Sequence, residues 1–125
     1  MFPFYPLHVF IFFVLLCANI AAQAKSLALS FDDGLNPVFN AQAEQINAQI
    51  LKHLHDQQIK TIVFPSLIKI GDYQGKQLIQ AWGQSGHLIG NHSALHQNLN
   101  KENVTLKDYL HSIEQADTVL KTLPN

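Results

Sequence analysis

Two short segments combine side chains capable of hydrolytic chemistry. The first is Asp32-Asp33, two adjacent carboxylates followed by Gly34. Neighbouring carboxylates repel, and both stay ionised more easily when a cation or a shared proton relieves them. Asp-Gly is equally a turn signal, so the pair by itself is also explained as a turn. The second segment is His92-Ser93-Ala94-Leu95-His96. Two histidines four apart share one face of a helical turn and can both point at one metal ion. The same spacing fits two solvated surface histidines. An Asp, His, His donor set leaves coordination positions open for water and substrate, as a catalytic zinc or other divalent site requires.

The elements that would carry these residues follow from the hydrophobic pattern. Leu27, Leu29 and Phe31 alternate as one face of a short strand, which Asp32-Asp33-Gly34 closes. Asn36-Pro37 is a helix start, and Ile46, Ile50, Leu51 and Leu54 carry the helical period to about Gln57. Residues 59–64 are β-branched and aromatic, and Pro65 bounds this second strand. Leu78, Ile79 and Trp82 mark a shorter helix that ends at Gly83 or Gly86. His87–Asn91 is a short third strand. Thr105 and Asp108 open the last helix in the manner of a capping box, and Leu106, Tyr109, Leu110, Ile113, Ala116 and Leu120 form its apolar stripe. This alternation predicts an α/β fold with a parallel sheet. Both chemical segments then follow strands and fall on one sheet edge, where active sites of parallel α/β folds collect. Three strands are too few to close a barrel, so the pattern describes half of an α/β domain.

Composition narrows the function classes. The 125 residues include eight lysines, no arginine and nine acids, for a net charge of −1. That balance excludes a nucleic-acid binder working through a basic field. With 47% apolar and 14% charged residues the chain is not a disordered one. Its length permits one domain, and a single cysteine, Cys17, excludes a disulfide framework or a Cys-rich zinc site. Residues 9–18 are unbroken apolar, with Ala22-Gln23-Ala24 soon after. An apolar run ending in a small-x-small site is a secretory signal peptide, here residues 1–24, although no Lys or Arg precedes the run. It is too short for a membrane span, so no stable span is expected after cleavage. Val14-Leu15-Leu16 before Cys17 lacks the small residue of a lipid-modified cysteine. The mature chain would begin at Lys25 without cysteine, exported to the periplasm or medium and stabilised by packing or metal.

Leu29-Ser30-Phe31-Asp32-Asp33-Gly34 resembles the first motif of the polysaccharide deacetylases, carbohydrate esterase family four. The segment from Gly86 to His96 resembles their second motif with its preceding strand. The resemblance runs from about Lys25 to the end. It implies a distorted (β/α) barrel, of which residues 25–125 would be the incomplete N-terminal part. It also implies a divalent metal, usually zinc, and a hydrolase acting on carbon–nitrogen, non-peptide bonds. The expected partner is an acetylated polysaccharide: a chitin-like, peptidoglycan or poly-N-acetylglucosamine glycan that loses N-acetyl or O-acetyl groups. Carried over residue by residue, Asp32 is the general base, and Asp33, His92 and His96 are the metal ligands. The family's later motifs supply an arginine, a backbone oxyanion donor and a histidine acid. Here arginine is absent, and His111, the one histidine after His96, falls on the last helix as a surface residue. The chain stops about where the arginine motif should begin, so a truncated domain, weakly active or inactive alone, is expected. The alternative is a secreted metal- or carbohydrate-binding remnant without turnover. A receiver domain also carries an acidic pair after its first strand, but the leader and the HSALH segment argue against it. His53, His55 and His87 read as positional residues, Trp82 as core, and Gly90 as a point of close backbone approach.

Overall fold

A computed structural model of the chain describes residues 26–123, so the expected leader at 1–24 lies outside the described residues. The elements are β1 (Ser30–Asp33), α1 (Ala43–Asp56), β2 (Ile62–Pro65), α2 (Leu67–Ile70), α3 (Tyr73–Gln84), β3 (Leu88–Ile89) and α4 (Leu106–Leu120). The strands form a parallel sheet in the order β1-β2-β3. Ser30 stands opposite Ile62, Asp33 opposite Pro65, and Val63 opposite Ile89. Parallel neighbours need long crossovers, which α1 and the α2–α3 pair provide.

Val63, on the central strand, is buried with Leu54 of α1, Ile70 of α2 and Ile79 and Trp82 of α3. Phe31 packs on this cluster with its ring 4.9 Å from that of Trp82. The indole Nε1 donates to Asn47 Oδ1 at 2.8 Å, and Asn47 Nδ2 donates to the Leu78 carbonyl. Trp82 is therefore a core residue whose polar edge is satisfied, as its helical spacing with Leu78 suggested. A second cluster of Ala94, Ala116 and Leu120 joins α4 to the segment after β3, and Leu67, Ile89 and Leu123 pack against both clusters.

Several boundaries differ from the hydrophobic pattern. Strand β1 begins at Ser30, where its ladder with β2 starts, and Leu27 and Leu29 are exposed. The first helix starts at Ala43 rather than at Asn36-Pro37. Asn36 Oδ1 accepts from Val38 N, its carbonyl accepts from Asn40 N, and Asn40 Oδ1 accepts from Gln42 N. Such local bonds offer the backbone an alternative to the helix. The predicted second strand shifts onward to Ile62–Pro65, leaving Ile59 exposed. Helix α4 begins with the capping box expected: Thr105 Oγ1 accepts from Asp108 N, and Asp108 Oδ2 accepts from Thr105 N. The Thr105 hydroxyl, donating to Asp108 Oδ2, and then the Thr105 N–H lower the Asp108 pKa. The stripe of α4 divides, with Ala116 and Leu120 inward and Leu106 and Leu110 exposed. At Gly90 the close approach is to a side chain: a Cβ there would run into the Phe64 ring.

Candidate metal centre

Asp33 is the last residue of β1, and its φ of 71° turns the chain out of the extended strand. Gly34, at φ 88°, continues the left-handed bend, with its N–H donating to the Asp32 carbonyl at 2.9 Å. A Cβ on Gly34 would strike the side chain of Ile70, so glycine is required there on two counts. The Asp33 carbonyl accepts from Ser66 N, which ties the end of β1 to the start of α2.

The histidine segment leaves β3 as a loop, not as the helical turn its spacing suggested. Ser93 and His96 have φ of 65° and 49°, which no α-helix accommodates. Long-range hydrogen bonds hold this shape. His92 N donates to the Pro65 carbonyl, and the Ser93 and Ala94 carbonyls accept from Leu67 N and Ile68 N. On the other side Ala94 N donates to the Ser112 carbonyl, and Leu95 N donates to Ser112 Oγ at 2.8 Å. Within the loop Asn91 Oδ1 accepts from Ser93 N and Ser93 Oγ accepts from His96 N, while Asn91 Nδ2 donates to the Ile113 carbonyl. The loop is thus clamped between α2 and α4.

This clamp brings Asp33, His92 and His96 together, with one donor atom from each lying within 4.8 Å of the others. Asp33 Oδ1 is 3.0 Å from His96 Nε2 and 3.6 Å from His92 Nε2. The imidazole rings meet edge to face at 4.9 Å. Asp33 Oδ1 is nevertheless buried with no hydrogen-bond partner. An orphaned carboxylate oxygen flanked by two imidazole nitrogens is the arrangement a cation satisfies. Zinc bonds of about 2.0–2.1 Å in a tetrahedron place neighbouring donors about 3.3 Å apart. The two Asp33–imidazole separations of 3.0 and 3.6 Å bracket that distance, and the three donors as a set lie within 4.8 Å. The donor set therefore fits a divalent ion of the zinc class.

Asp32 sits one residue earlier, exposed, and its side chain has no partner among the described residues. An apolar cleft of about 170 Å³ beside it is lined by Phe31, Leu35, Ile50 and Trp82 among others. The spacing gave no sign of Lys69, whose Nζ lies 4.0 Å from Asp33 Oδ2. It comes from α2, a four-residue helix without periodicity to betray it. The remaining histidines stand apart from the site. His53 and His55 are exposed on α1, and His111 is exposed on α4, 3.9 Å from Glu114. His87 is buried against Trp82, its Nδ1 without a partner. Burial, aided by the Lys60 charge, lowers its pKa. It also lines a cavity of about 670 Å³ between the C-terminal half of α1, the α1–β2 connection and the turn before β3. That cavity gathers no group of donors suited to a metal.

The parallel α/β sheet brings a carboxylate and two imidazoles together at one edge, the strand-end position where active sites of such folds collect. The family profile described as polysaccharide deacetylase matches residues 19–124, and the chain belongs to that family. No curated protein matches it. A solved structure similar to this chain is the Bc1960 peptidoglycan N-acetylglucosamine deacetylase in complex with 4-naphthalen-1-yl-N-oxidanyl-benzamide. The identity is 28% and the TM-score 0.57, over 77% of this chain and 40% of that one. The chain thus spans less than half of that protein's length, and its sheet corresponds to part of a barrel-type deacetylase fold.

Proposed function

We propose that this protein is a metal-dependent deacetylase of an acetylated polysaccharide, with Asp33, His92 and His96 as ligands to zinc and Asp32 as general base. The observation that carries this reading is the buried, unpartnered Asp33 Oδ1 facing two imidazole nitrogens. A bound divalent ion there supplies Lewis acidity toward an acetyl carbonyl and acidifies water. Asp33 and the clamped histidine loop fix the donors in place. Asp32, exposed and free of partners, takes the proton from water as it attacks the acetyl carbon. The departing amine also needs a proton. Among the described residues His111, the one histidine beyond His96, faces Glu114 on the outer side of α4. General acid–base assistance contributes about 10²–10⁴-fold, so the 125-residue chain is expected to turn over weakly. Residues 1–24 serve as an export signal in this proposal, delivering the chain to the periplasm or medium. Intact mass of the exported protein should begin at Lys25, and a full-length chain recovered in the membrane would point to an anchor.

The test has two parts. Calorimetric titration with zinc should show one tight site, lost in His92→Ala and His96→Ala and retained in His53→Ala. Equal losses in all three variants would mean adventitious surface binding and would sink the metal assignment. Acetate release from N-acetylglucosamine oligomers should be weak, zinc-dependent and abolished by Asp32→Asn. Zinc binding without any acetate release would instead favour the binding remnant. Robust Asp32-dependent turnover by this chain would overturn the missing-acid argument.

A further inference from the structure

The cavity of about 670 Å³ that His87 lines takes no part in the proposed hydrolysis. Asp33 ends β1 and His92 follows β3, whereas Lys60 and His87 precede β2 and β3. In a parallel sheet this puts the cavity at the end opposite the ligand triad. Its volume is within the range of small-ligand sites, roughly 300–1,000 Å³. Leu51, Leu54 and Ile59 line one part of it, and Lys60, Ser85 and His87 line another. The charges there do not cancel. Lys52 is paired with Asp56, but Lys60 has no carboxylate partner among the described residues. Lys60 Nζ donates to the Ser85 carbonyl at 2.9 Å, which leaves its other N–H groups for a ligand. A Cβ on Gly86 would meet that Nζ at 2.8 Å, so the ammonium lies against the turn that carries Ser85 and His87. The Ser85 hydroxyl has no partner among the described residues, and His87, 3% exposed, has none for Nδ1. At the ends of α1 and α3 the carbonyls of His53, Leu54, His55, Ala81, Trp82 and Gly83 already accept from backbone N–H groups. Those helix ends therefore do not claim a cation.

We infer that this cavity binds a small amphipathic anion, a carboxylate carried on a short aliphatic body. Lys60 supplies the unmatched positive charge, and its N–H groups make charge-assisted bonds to a carboxylate, about twice as strong as neutral ones. The Ser85 hydroxyl beside it is a further donor. His87 lines the same space, so a ligand oxygen there is the partner that the fold does not give its ring nitrogen. A monoanion matches the one uncompensated charge, which a phosphate dianion would exceed. Leu51, Leu54 and Ile59 offer the aliphatic body an apolar wall, where each buried methylene is worth about fourfold in affinity. The charged and titratable groups sharing the cavity with His87 are Lys52, His55 and Asp56 of α1 and Lys60. A bound carboxylate adds a negative charge among them, which favours the protonated imidazole.

The experiment is an NMR titration of the ¹⁵N-labelled full chain with sodium hexanoate, after metal removal with EDTA and dialysis so that no ion at the ligand triad captures the carboxylate. Backbone signals of Leu54, Ile59, Lys60, Ser85 and His87 should shift and saturate. The His87 pKa, followed through its ring C–H signals, should rise as hexanoate binds. Hexan-1-ol, which lacks the charge, should bind about tenfold more weakly, and so should acetate, which lacks the aliphatic body. Lys60→Met should weaken hexanoate about tenfold. Should that change disturb the end of α3, Ile59→Ser decides, with hexanoate weakened about threefold to tenfold and acetate unaltered. Equal affinity for hexanoate, acetate and inorganic phosphate would mean an adventitious ion only and would overturn the site. Equal affinity for hexanoate and hexan-1-ol would overturn it as well, leaving an apolar crevice. So would a His87 pKa that stays fixed at saturation, or shifts confined to Asp33, His92 and His96.

Discussion

Ser112→Ala tests whether α4 positions the proposed metal ligands as well as completing the fold. Ser112 is fully buried, its Oγ accepting from Leu95 N at 2.8 Å and its carbonyl from Ala94 N at 2.9 Å. Alanine keeps the carbonyl bond and removes only the hydroxyl, leaving the Leu95 N–H without an acceptor. A buried donor left unsatisfied costs about 1–3 kcal/mol. Leu95 is 47% exposed, so water can reach part of this segment. The expected loss is therefore in the lower half of the range, about 1–1.5 kcal/mol. For a domain of roughly 100 residues each kcal/mol moves the melting temperature by about 4–8 °C. In EDTA the variant should melt about 4–12 °C below wild type. Leu95 directly precedes His96, so its release also lets that ligand drift. Loss of an outer-sphere tether weakens metal binding about tenfold to a hundredfold. Thermal melting and zinc calorimetry report the two effects separately. A lowered melting temperature with unchanged zinc affinity would refute the positioning role and leave Ser112 as a packing residue. No change in either would show that the tether does not form in solution.

Trp82→Phe should destabilise the fold by about 1–3 kcal/mol in urea denaturation, because Asn47 Oδ1 loses the indole donor inside the core. Gly90→Ala should cost about 1–3 kcal/mol through overpacking, since its Cβ meets the Phe64 ring. A change below a few tenths would place Phe64 elsewhere. His87 makes stability fall in mild acid. Burial depresses its folded pKa below the ordinary 6.5, so the unfolded chain binds the extra proton first. Stability should decline as pH drops below about 6.5, until the folded imidazole also protonates. His87→Phe in EDTA should flatten that part of the urea midpoint profile, and an unaltered slope would exclude His87 as its source.

Local chemistry made some features legible in the sequence and long-range contacts hid others. Helix α4 starts where Thr105 and Asp108 cap it, because a capping box closes within four residues. Strand–helix alternation gave the parallel sheet, and strand ends gave the shared edge of Asp33 and the two histidines. The i, i+4 spacing of His92 and His96 suggested a helix, but their convergence depends on Ser112, Leu67 and Ile68, none of them near in sequence. Helix α2 was invisible for the same reason. Its opening N–H groups, on Leu67 and Ile68, donate to the histidine loop, and Ser66 provides no side-chain cap. Lys69 therefore reaches Asp33 through a helix no local pattern announces.

Four non-glycine residues among those described have positive φ: Asp33, Gln58, Ser93 and His96. Three of them lie in the ligand segments. Each such conformation typically costs on the order of 1–3 kcal/mol and persists only where surrounding contacts over-determine it. On the proposed metal reading, substitutions that relax these backbones would stabilise the chain while loosening the geometry of the three donors. Glycine at Ser93 would relax the backbone while deleting the hydroxyl that accepts from His96 N. A stability screen that ignored the metal would select such changes first, producing sturdier chains with a looser site.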